Sequence, residues 1–252
     1  KKLLKEPENG FYTPKYEKNI RQAFNTFKNK EVPKSLTKYL FQDFAMYCLE
    51  YQLPEYDTLW GKLIELNCYA RYISKVPANI NKLKNLQDLS LRLNQISIIP
   101  PEIGQLVELK QLDLIKNNIN FLPEEISNLM KLSELLISNN PIEHLPNNFT
   151  KLQNLKHLSL QNMDMTRIFP QVYELRSLET IRLGRNNIKS IQPQIKFLTK
   201  IRDLDLSDNQ ITHLPNEFYQ LQNLKYLNLE NNPLDTDEID KLIDVFGDRF
   251  HN

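Results

Sequence analysis

The stretch that decides the fold is residues 86–119, LQDLSLRLNQISIIPPEIGQLVELKQLDLIKNNI, in which one pattern occurs twice. Apolar residues and one asparagine hold the same places in both copies. The first copy has Leu86, Leu89, Leu91, Asn94 and Ile96, and 23 positions later the second has Leu109, Leu112, Leu114, Asn117 and Ile119. Self-similarity at a fixed period of this length is typical of a repeat architecture, in which each unit packs only against its neighbours.

The same pattern extends along the chain in both directions. Later copies begin at Leu132, Leu155, Leu178, Ile201 and Leu224. The opening copy, at Leu63, is degenerate and has Arg71 at the place of the asparagine. Between copies an apolar residue followed by proline recurs, as in Leu122-Pro123. The sequence therefore predicts eight units of 23 residues over positions 61–234.

This pattern resembles the 23-residue class of leucine-rich repeats, found in bacterial proteins, notably those of spirochaetes, and in some intracellular eukaryotic scaffolds. The match covers about Trp60 to the C-terminus. The resemblance implies an α/β solenoid with a parallel β-sheet on its concave face. It is specific for the fold and not for the function, because the variable positions of such a solenoid set its partners.

Each part of the repeat has a physical role. Alternation along a strand sends Leu89 and Leu91 into the core and Ser90 to the opposite face, so that each unit contributes one strand. The asparagine that follows has amide donors and a carbonyl acceptor for backbone groups at the turn. We therefore predict a buried ladder of asparagines. Its members are Asn94, Asn117, Asn140, Asn186, Asn209 and Asn232.

A stack of repeats exposes an apolar core at each end, and both flanks are interpreted as helical caps. In residues 1–60, aromatic and aliphatic side chains at helical spacing predict an amphipathic helix pair, as a cap rather than as a partner-binding helix face. In residues 235–252, Asp235 and Glu238 indicate the start of a closing helix. Its predicted apolar stripe is Ile239, Leu242, Ile243 and Phe246.

Composition excludes several classes of function. The 252 residues include 32 basic and 31 acidic ones, a formal charge of +1, so no global field attracts nucleic acid. No run approaches the roughly twenty apolar residues that span a bilayer. Cys48 and Cys68 form no Cys-x-x-Cys pair, which argues against a zinc ribbon or a disulfide scaffold. Cys68 occupies an inward position, and we expect a buried, unreactive thiol there.

The compartment is left open by the sequence. The chain begins at Lys1 without an initiator methionine. A secreted or cell-surface location is expected if a cleaved signal preceded Lys1, and a cytoplasmic one otherwise.

The sequence contains no recognisable catalytic motif. None of its five glycines belongs to a phosphate-binding cluster, and there is no Gly-x-Ser-x-Gly elbow. Asp203, Asp205 and Asp208 form the densest carboxylate cluster. Arg182 and Arg185 precede the last two by 23 positions, so ion pairs between adjacent strands are favoured over a cation site. We expect no enzyme activity, no cofactor and no metal.

One unit interrupts the predicted ladder, because Met163 stands where an asparagine is expected. Methionine cannot donate those hydrogen bonds. Either Asn162, Gln161 or a water compensates, or the curvature of the solenoid changes at this place.

The predicted concave face is mainly polar, with three apolar exceptions. Leu93, Ile115 and Leu136 are expected to point outward in adjacent units, as a diagonal stripe. Tyr69 lies one unit before Arg92, which predicts a cation–π contact. The resulting candidate patch also includes His157 beside Glu134, a pair that would make binding sensitive to pH. The alternative is a set of scattered surface side chains, which are common.

These features predict a non-enzymatic module that binds a protein partner on its concave face. The predicted contact residues are Tyr69, Arg92, Leu93, Ile115, Leu136 and His157. The resemblance to bacterial proteins implies an exported protein that engages a host protein. The alternatives are an intracellular scaffold and the substrate-recognition arm of a larger enzyme. The sequence specifies neither the identity of the partner nor the oligomeric state.

Overall fold

The computed structural model describes Gly61 and residues 63–251. Within this range nine strands form one sheet in sequence order. The strands are β1 Glu65–Asn67, β2 Asp88–Ser90, β3 Gln111–Asp113, β4 Glu134–Leu136, β5 His157–Ser159, β6 Thr180–Arg182, β7 Asp203–Asp205, β8 Tyr226–Asn228 and β9 Phe250–His251. The N-terminal cap predicted for residues 1–60, with Cys48, lies outside the described residues.

All strand pairs are parallel, and from β1 to β8 the register repeats the sequence period. Leu66 pairs with Leu89, which pairs in turn with Leu112, so neighbours are 23 residues apart. The middle residue of each strand points into one continuous apolar core, in which Cys68 is also buried. The predicted solenoid with a parallel sheet is therefore confirmed.

The return path of each unit is a short 3₁₀ turn of five residues. These turns are Ala78–Lys82, Pro101–Gln105, Glu124–Asn128, Asn147–Lys151, Pro170–Glu174, Pro193–Phe197 and Asn216–Gln220. Proline at the preceding position, as at Pro123, holds the chain extended before the turn, with φ of −67°. Each turn places an apolar side chain such as Ile126 in the core. The strands and these turns enclose the core from opposite sides.

A second backbone feature recurs at the end of every strand segment. The residue before each ladder position has a left-handed conformation, as in Leu93 with φ of 58°. The others are Ala70, Lys116, Asn139, Asn162, Arg185, Asp208 and Asn231. Asparagine and aspartate tolerate this region, whereas Leu93 is strained there by about 1 kcal/mol. The chain therefore leaves the sheet through the same tight turn in each unit.

The predicted asparagine ladder satisfies the backbone at these turns. In one step of the ladder, the Asn117 side-chain amide donates to the carbonyls of Leu91 and Leu114, at 2.9 and 3.0 Å. Its Oδ1 accepts from the Ile96 N–H at 3.0 Å. Leu91 and Ile96 belong to the preceding unit, so each asparagine joins two units. Equivalent bonds are made by Asn94, Asn140, Asn186, Asn209 and Asn232.

Met163 leaves a gap in this ladder. Its side chain is buried in the core, and no acceptor among the described residues takes the N–H of Ile142, which the missing asparagine would bind. Asn186 of the next unit does not bridge this gap, because its Oδ1 accepts from the N–H groups of Met163 and Met165 and not from that of Ile142. The predicted compensation by Asn162 is wrong, since its side-chain amide donates to Asn139 instead.

The backbone also changes where the asparagine is absent. Asp164, after Met163, has a left-handed φ of 55°, and Tyr72, after Arg71, has one of 57°. In the units that carry the asparagine, the residue after it has no positive φ. Beside Met163 a groove of about 640 Å³ opens between residues 141–145 and 163–171. The missing asparagine at position 163 therefore coincides with a local change of the backbone and with a groove on the loop side.

The described chain closes with helix α1, Thr236–Phe246, followed by strand β9. Asp235 caps the helix by accepting from the Glu238 N–H at 2.8 Å. The buried Glu238 carboxylate accepts from the Leu214 N–H and the Tyr219 hydroxyl of the seventh unit. Leu242 and Phe246 enter the core, but Ile243 is 52% exposed, so its predicted place in the buried stripe is wrong. The division into caps and solenoid stays a prediction.

We predict that replacing a ladder asparagine with an apolar residue of similar size is costly. Asn117→Leu leaves the buried Ile96 N–H without its acceptor and takes one of two side-chain amide donors from each of the two carbonyls that Asn117 binds. Since an unsatisfied buried group costs roughly 1–3 kcal/mol, the free energy of unfolding from denaturant titration is expected to fall by about 2 kcal/mol. The control Asn128→Leu, at an exposed position of a 3₁₀ turn, should change it by less than about 0.5 kcal/mol. Equal losses would contradict a structural role for the ladder.

The gap at Met163 predicts a local loss of amide protection. The Ile142 N–H has no ladder acceptor, whereas the equivalent Ile119 N–H donates to Asn140. Hydrogen exchange followed by NMR should therefore be faster at Ile142 than at Ile119, and Met163→Asn should slow it. Exchange at Ile142 that is as slow as at Ile119 in the unchanged protein would be inconsistent with this gap.

Candidate functional site on the concave face

We use "concave face" for the outward side of the sheet, formed by the first and third residue of each strand and by the residues just after it. Its two ends differ in charge. Over β1–β4 the outward strand positions include Glu65, Asp88, Asp113 and Glu134, and Leu136 is the apolar exception. Over β6–β7 the outward strand positions include Arg182, Asp203 and Asp205. The face is therefore acidic at one end and of mixed charge further along.

A shallow depression of about 200 Å³ lies over β1–β4. The four carboxylates of Glu65, Asp88, Asp113 and Glu134 line it, together with Leu136. The remaining lining residues are neutral: Leu66, Asn67, Leu89, Ser90, Gln111 and Leu112. The lining thus carries four negative charges and no cation. We refer to this feature as the acidic depression.

Asp113 has the most perturbed carboxyl group of the depression. Burial raises its pKa above the ordinary value, and the charge of Glu134 raises it further. The Ile115 N–H, which donates to Oδ1 at 3.0 Å, the positive charge of Arg92 and a hydrogen bond from Ser90 act in the opposite direction. The net increase means that the surroundings disfavour the ionised form.

Two side-chain pairs predicted from the register are not formed. Tyr69 makes no cation–π contact with Arg92, and in the described part of the chain such contacts involve only the rings of Phe197 and Phe246. Arg92 lies close enough to Asp113 for its positive charge to lower the pKa of that carboxyl group. Glu134 accepts from the Gln111 side-chain amide at 2.6 Å, and no ion pair with the neighbouring His157 occurs among the described residues.

The residues of the candidate patch differ in how much surface they offer. Tyr69 is 50% exposed and His157 is exposed, whereas Arg92, Leu93 and Leu136 are half-buried. Ile115 retains only 9% of its surface, although it lies outside the apolar core. Little of its surface is therefore available to a partner. Of the three apolar residues, Leu93 and Leu136 remain accessible, and the patch as a binding site stays a prediction.

A hydrogen-bond network occupies the part of the face over β5–β7. The Gln161 side-chain amide donates to Asp205 Oδ2 at 3.0 Å, across the intervening strand. Asp205 Oδ1 accepts from the Ser207 N–H and hydroxyl at 3.1 and 2.7 Å. The hydroxyls of Ser138 and Ser159 are 2.6 Å apart in the same region. These polar groups therefore satisfy one another by hydrogen bonds within the chain.

The predicted ion pairs of this region are confirmed for one pair and wrong for the other. Arg185 Nε lies 3.6 Å from Asp208 Oδ2. Arg182 pairs in register with Asp205, but the carboxylate is already held by Gln161 and Ser207 and forms no ion pair with it in the described residues.

Sequence reasoning missed Gly184, which makes this network possible. A Cβ at this position would lie 2.9 Å from Ser207 Oγ and 3.1 Å from Asp205 Oδ2. The space above Gly184 is therefore the path by which Gln161 reaches Asp205. The only available signal was a glycine at an outward position where the other units have side chains.

Residues 61 and 63–251 contain no group of three or more His, Cys, Asp or Glu side chains that is arranged to hold a metal ion. In the same residues no helix has the length and apolar character needed to cross a membrane.

Family models match most of this structure. A leucine-rich-repeat region matches residues 102–192, and further leucine-rich-repeat models match 176–234, 85–106 and 223–246. Together they account for every residue from 85 to 246. The chain belongs to the leucine-rich-repeat family. No curated protein sequence matches this leucine-rich-repeat protein significantly.

Solved structures support the same fold for this leucine-rich-repeat protein. Internalin C2 from Listeria monocytogenes matches at 22% identity with a TM-score of 0.66, over 76% of this chain and 80% of that one. The Arabidopsis receptor kinase HAESA, solved with a peptide hormone and a co-receptor, matches at 25% identity with a TM-score of 0.61. That match covers 72% of this chain and 32% of the receptor chain.

A leucine-rich-repeat protein from Leptospira interrogans matches at 23% identity, over 70% of this chain and 63% of that one. Its TM-score of 0.34 is too low to support a shared shape. The resemblance to spirochaete proteins in particular therefore stays a prediction.

The raised pKa of Asp113 gives a testable dependence of stability on pH. The folded state binds the proton of the Asp113 carboxyl group more tightly than the unfolded state does. The ionised carboxylate therefore destabilises the fold, and this effect reaches its full size above the folded-state pKa. Asp113→Asn should therefore increase the free energy of unfolding at pH 7, and the increase should vanish near pH 3, where the unfolded state is also protonated. Denaturant titrations at both pH values measure this change in the free energy of unfolding. Asp240→Asn on helix α1 is the control, since it also removes a single negative charge.

Proposed function

We propose that this chain is a non-enzymatic interaction module that holds a protein partner against its concave face. The observation that carries the proposal is the set of accessible apolar and aromatic side chains over β1–β4, on a face that is otherwise mainly polar, with Tyr226 on β8 as a separate exposed aromatic. Tyr69 and Leu136 are its main apolar groups. Large side chains of this kind at an accessible surface are favoured interface anchors.

Several further observations support an interaction role. The leucine-rich-repeat neighbours include the HAESA receptor, which was solved with a peptide hormone and a co-receptor. The network over β5–β7 is internally satisfied, whereas over β1–β4 the side-chain carboxylates of Glu65 and Asp88 have no hydrogen-bond partner among the described residues. Leu93, Arg92 and His157 flank the two anchors, and Ile115 contributes little surface. An exported role that engages a host protein, an intracellular scaffold and the recognition arm of a larger enzyme remain predictions from the resemblance.

The proposal predicts that binding depends on the two anchors and not on apolar surface in general. The double variant Tyr69→Ser, Leu136→Ser uses residues that other units carry at these places, Ser138 and Ser159, so the fold should be kept. Affinity for a partner captured from cell-surface or cytosolic extract, measured with purified components, should fall about tenfold or more, since removing a hot-spot residue costs roughly 2 kcal/mol.

The matched control is Val107→Ser, Met130→Ser. These two side chains are equally exposed, at 50% each, and lie off the sheet between a 3₁₀ turn and the next strand. This variant should bind as the unchanged protein does. If the control lost the partner and the Tyr69, Leu136 variant retained it, the binding surface would lie away from the concave face.

A further inference from the structure

The acidic depression is a second feature of the concave face, distinct from its apolar anchors. Its carboxylates belong to four successive strands, with Glu65 on β1 and Glu134 on β4. Among the described residues, the side-chain carboxylates of Glu65 and Asp88 have no hydrogen-bond or ion-pair partner. In contrast, Asp205 and Asp208, further along the same face, have partners in Ser207 and Arg185. The uncompensated negative charge is therefore concentrated at one place.

This charge is held in partly desolvated surroundings. Asp88, Asp113 and Glu134 are half-buried, and burial raises the pKa of Asp113 despite the nearby Arg92. Carboxylates of like charge on adjacent strands destabilise one another. A cation placed between them would relieve both the repulsion and the loss of solvation, so the depression favours a positively charged group.

The geometry distinguishes an organic cation from a metal ion. Adjacent strands are about 4.8 Å apart, so carboxylates on four strands are too dispersed to share one ion at coordination distance. No metal-holding cluster occurs among the described residues. A lysine or arginine side chain is longer, donates several hydrogen bonds and needs no closed coordination shell.

The size and lining of the depression fit one such side chain. Its volume of about 200 Å³ corresponds to roughly seven water molecules. Leu136 lies in the lining beside the carboxylates. Long basic side chains bury their aliphatic stem on apolar surface while the charged head stays among polar groups. Leu136 and the carboxylates provide these two environments side by side.

We propose that the partner inserts a lysine or arginine side chain, next to an apolar residue, into the acidic depression formed by Glu65, Asp88, Asp113, Glu134 and Leu136. This inference rests on the proposed function and adds the chemistry of the partner. The apolar neighbour contacts the exposed ring of Tyr69, and the basic group contacts the carboxylates. Binding is therefore sensitive to salt as well as to apolar contacts.

Selection from a displayed library of random peptides, with the full chain as bait, tests the proposal without a known partner. The enriched peptides should share a basic residue beside an apolar one. Their affinity should fall about tenfold for Asp88→Asn, Glu134→Gln, which removes two charges with little change in shape. The matched variant Glu125→Gln, Glu217→Gln removes two charges from the 3₁₀ turns and should bind normally. Thermal melts monitor folding.

The outcomes separate this inference from the proposed function. Peptides that lack a basic residue and need Leu136 but not the carboxylates overturn the inference and leave concave binding intact. Peptides that are indifferent to both Leu136→Ser and the loss of the carboxylates overturn both. Failure to enrich any peptide also counts against the inference, since an accessible site of this chemistry should select one.

Discussion

The hydrogen bonds of the asparagine ladder are the constraint on which the rest of the solenoid depends. Each strand ends in a left-handed turn that buries backbone groups beyond the reach of the sheet bonds. One amide side chain satisfies donors and acceptors in its own unit and in the preceding one, as Asn117 does. Since adjacent units share these bonds, the ladder supplies part of the interface energy that makes a stack of small units stable.

Met163 shows what happens when that constraint is relaxed at one place. The strands β4 and β5 stay paired across the gap, so the sheet is continuous. On the loop side, in contrast, a groove lies between residues 141–145 of one unit and 163–171 of the next. The solenoid therefore consists of two stretches with an intact ladder, coupled through the sheet and the core. Local opening in repeat proteins begins at such weak junctions.

The sequence alone predicts the strands, their register and the ladder because these follow from a single period. Once Leu89 is assigned to a strand, Leu66 and Leu112 follow as its neighbours. Side-chain partners are harder to predict, since a period says which residues are adjacent but not which rotamers they adopt. For this reason the predicted contacts of Tyr69 with Arg92 and of Glu134 with His157 are absent. Gln161 and Asp205 are two units apart, outside a comparison of nearest neighbours.

The space above Gly184 also bears on how this surface can vary. Even the single methyl of alanine would meet Ser207 and Asp205, so a change at this position requires the network to move. The half of the face around Gly184 is therefore closed to gradual diversification, whereas positions over β1–β4 can exchange side chains independently. New binding specificities, in evolution or in a designed library, are accessible mainly through the N-terminal half of the sheet.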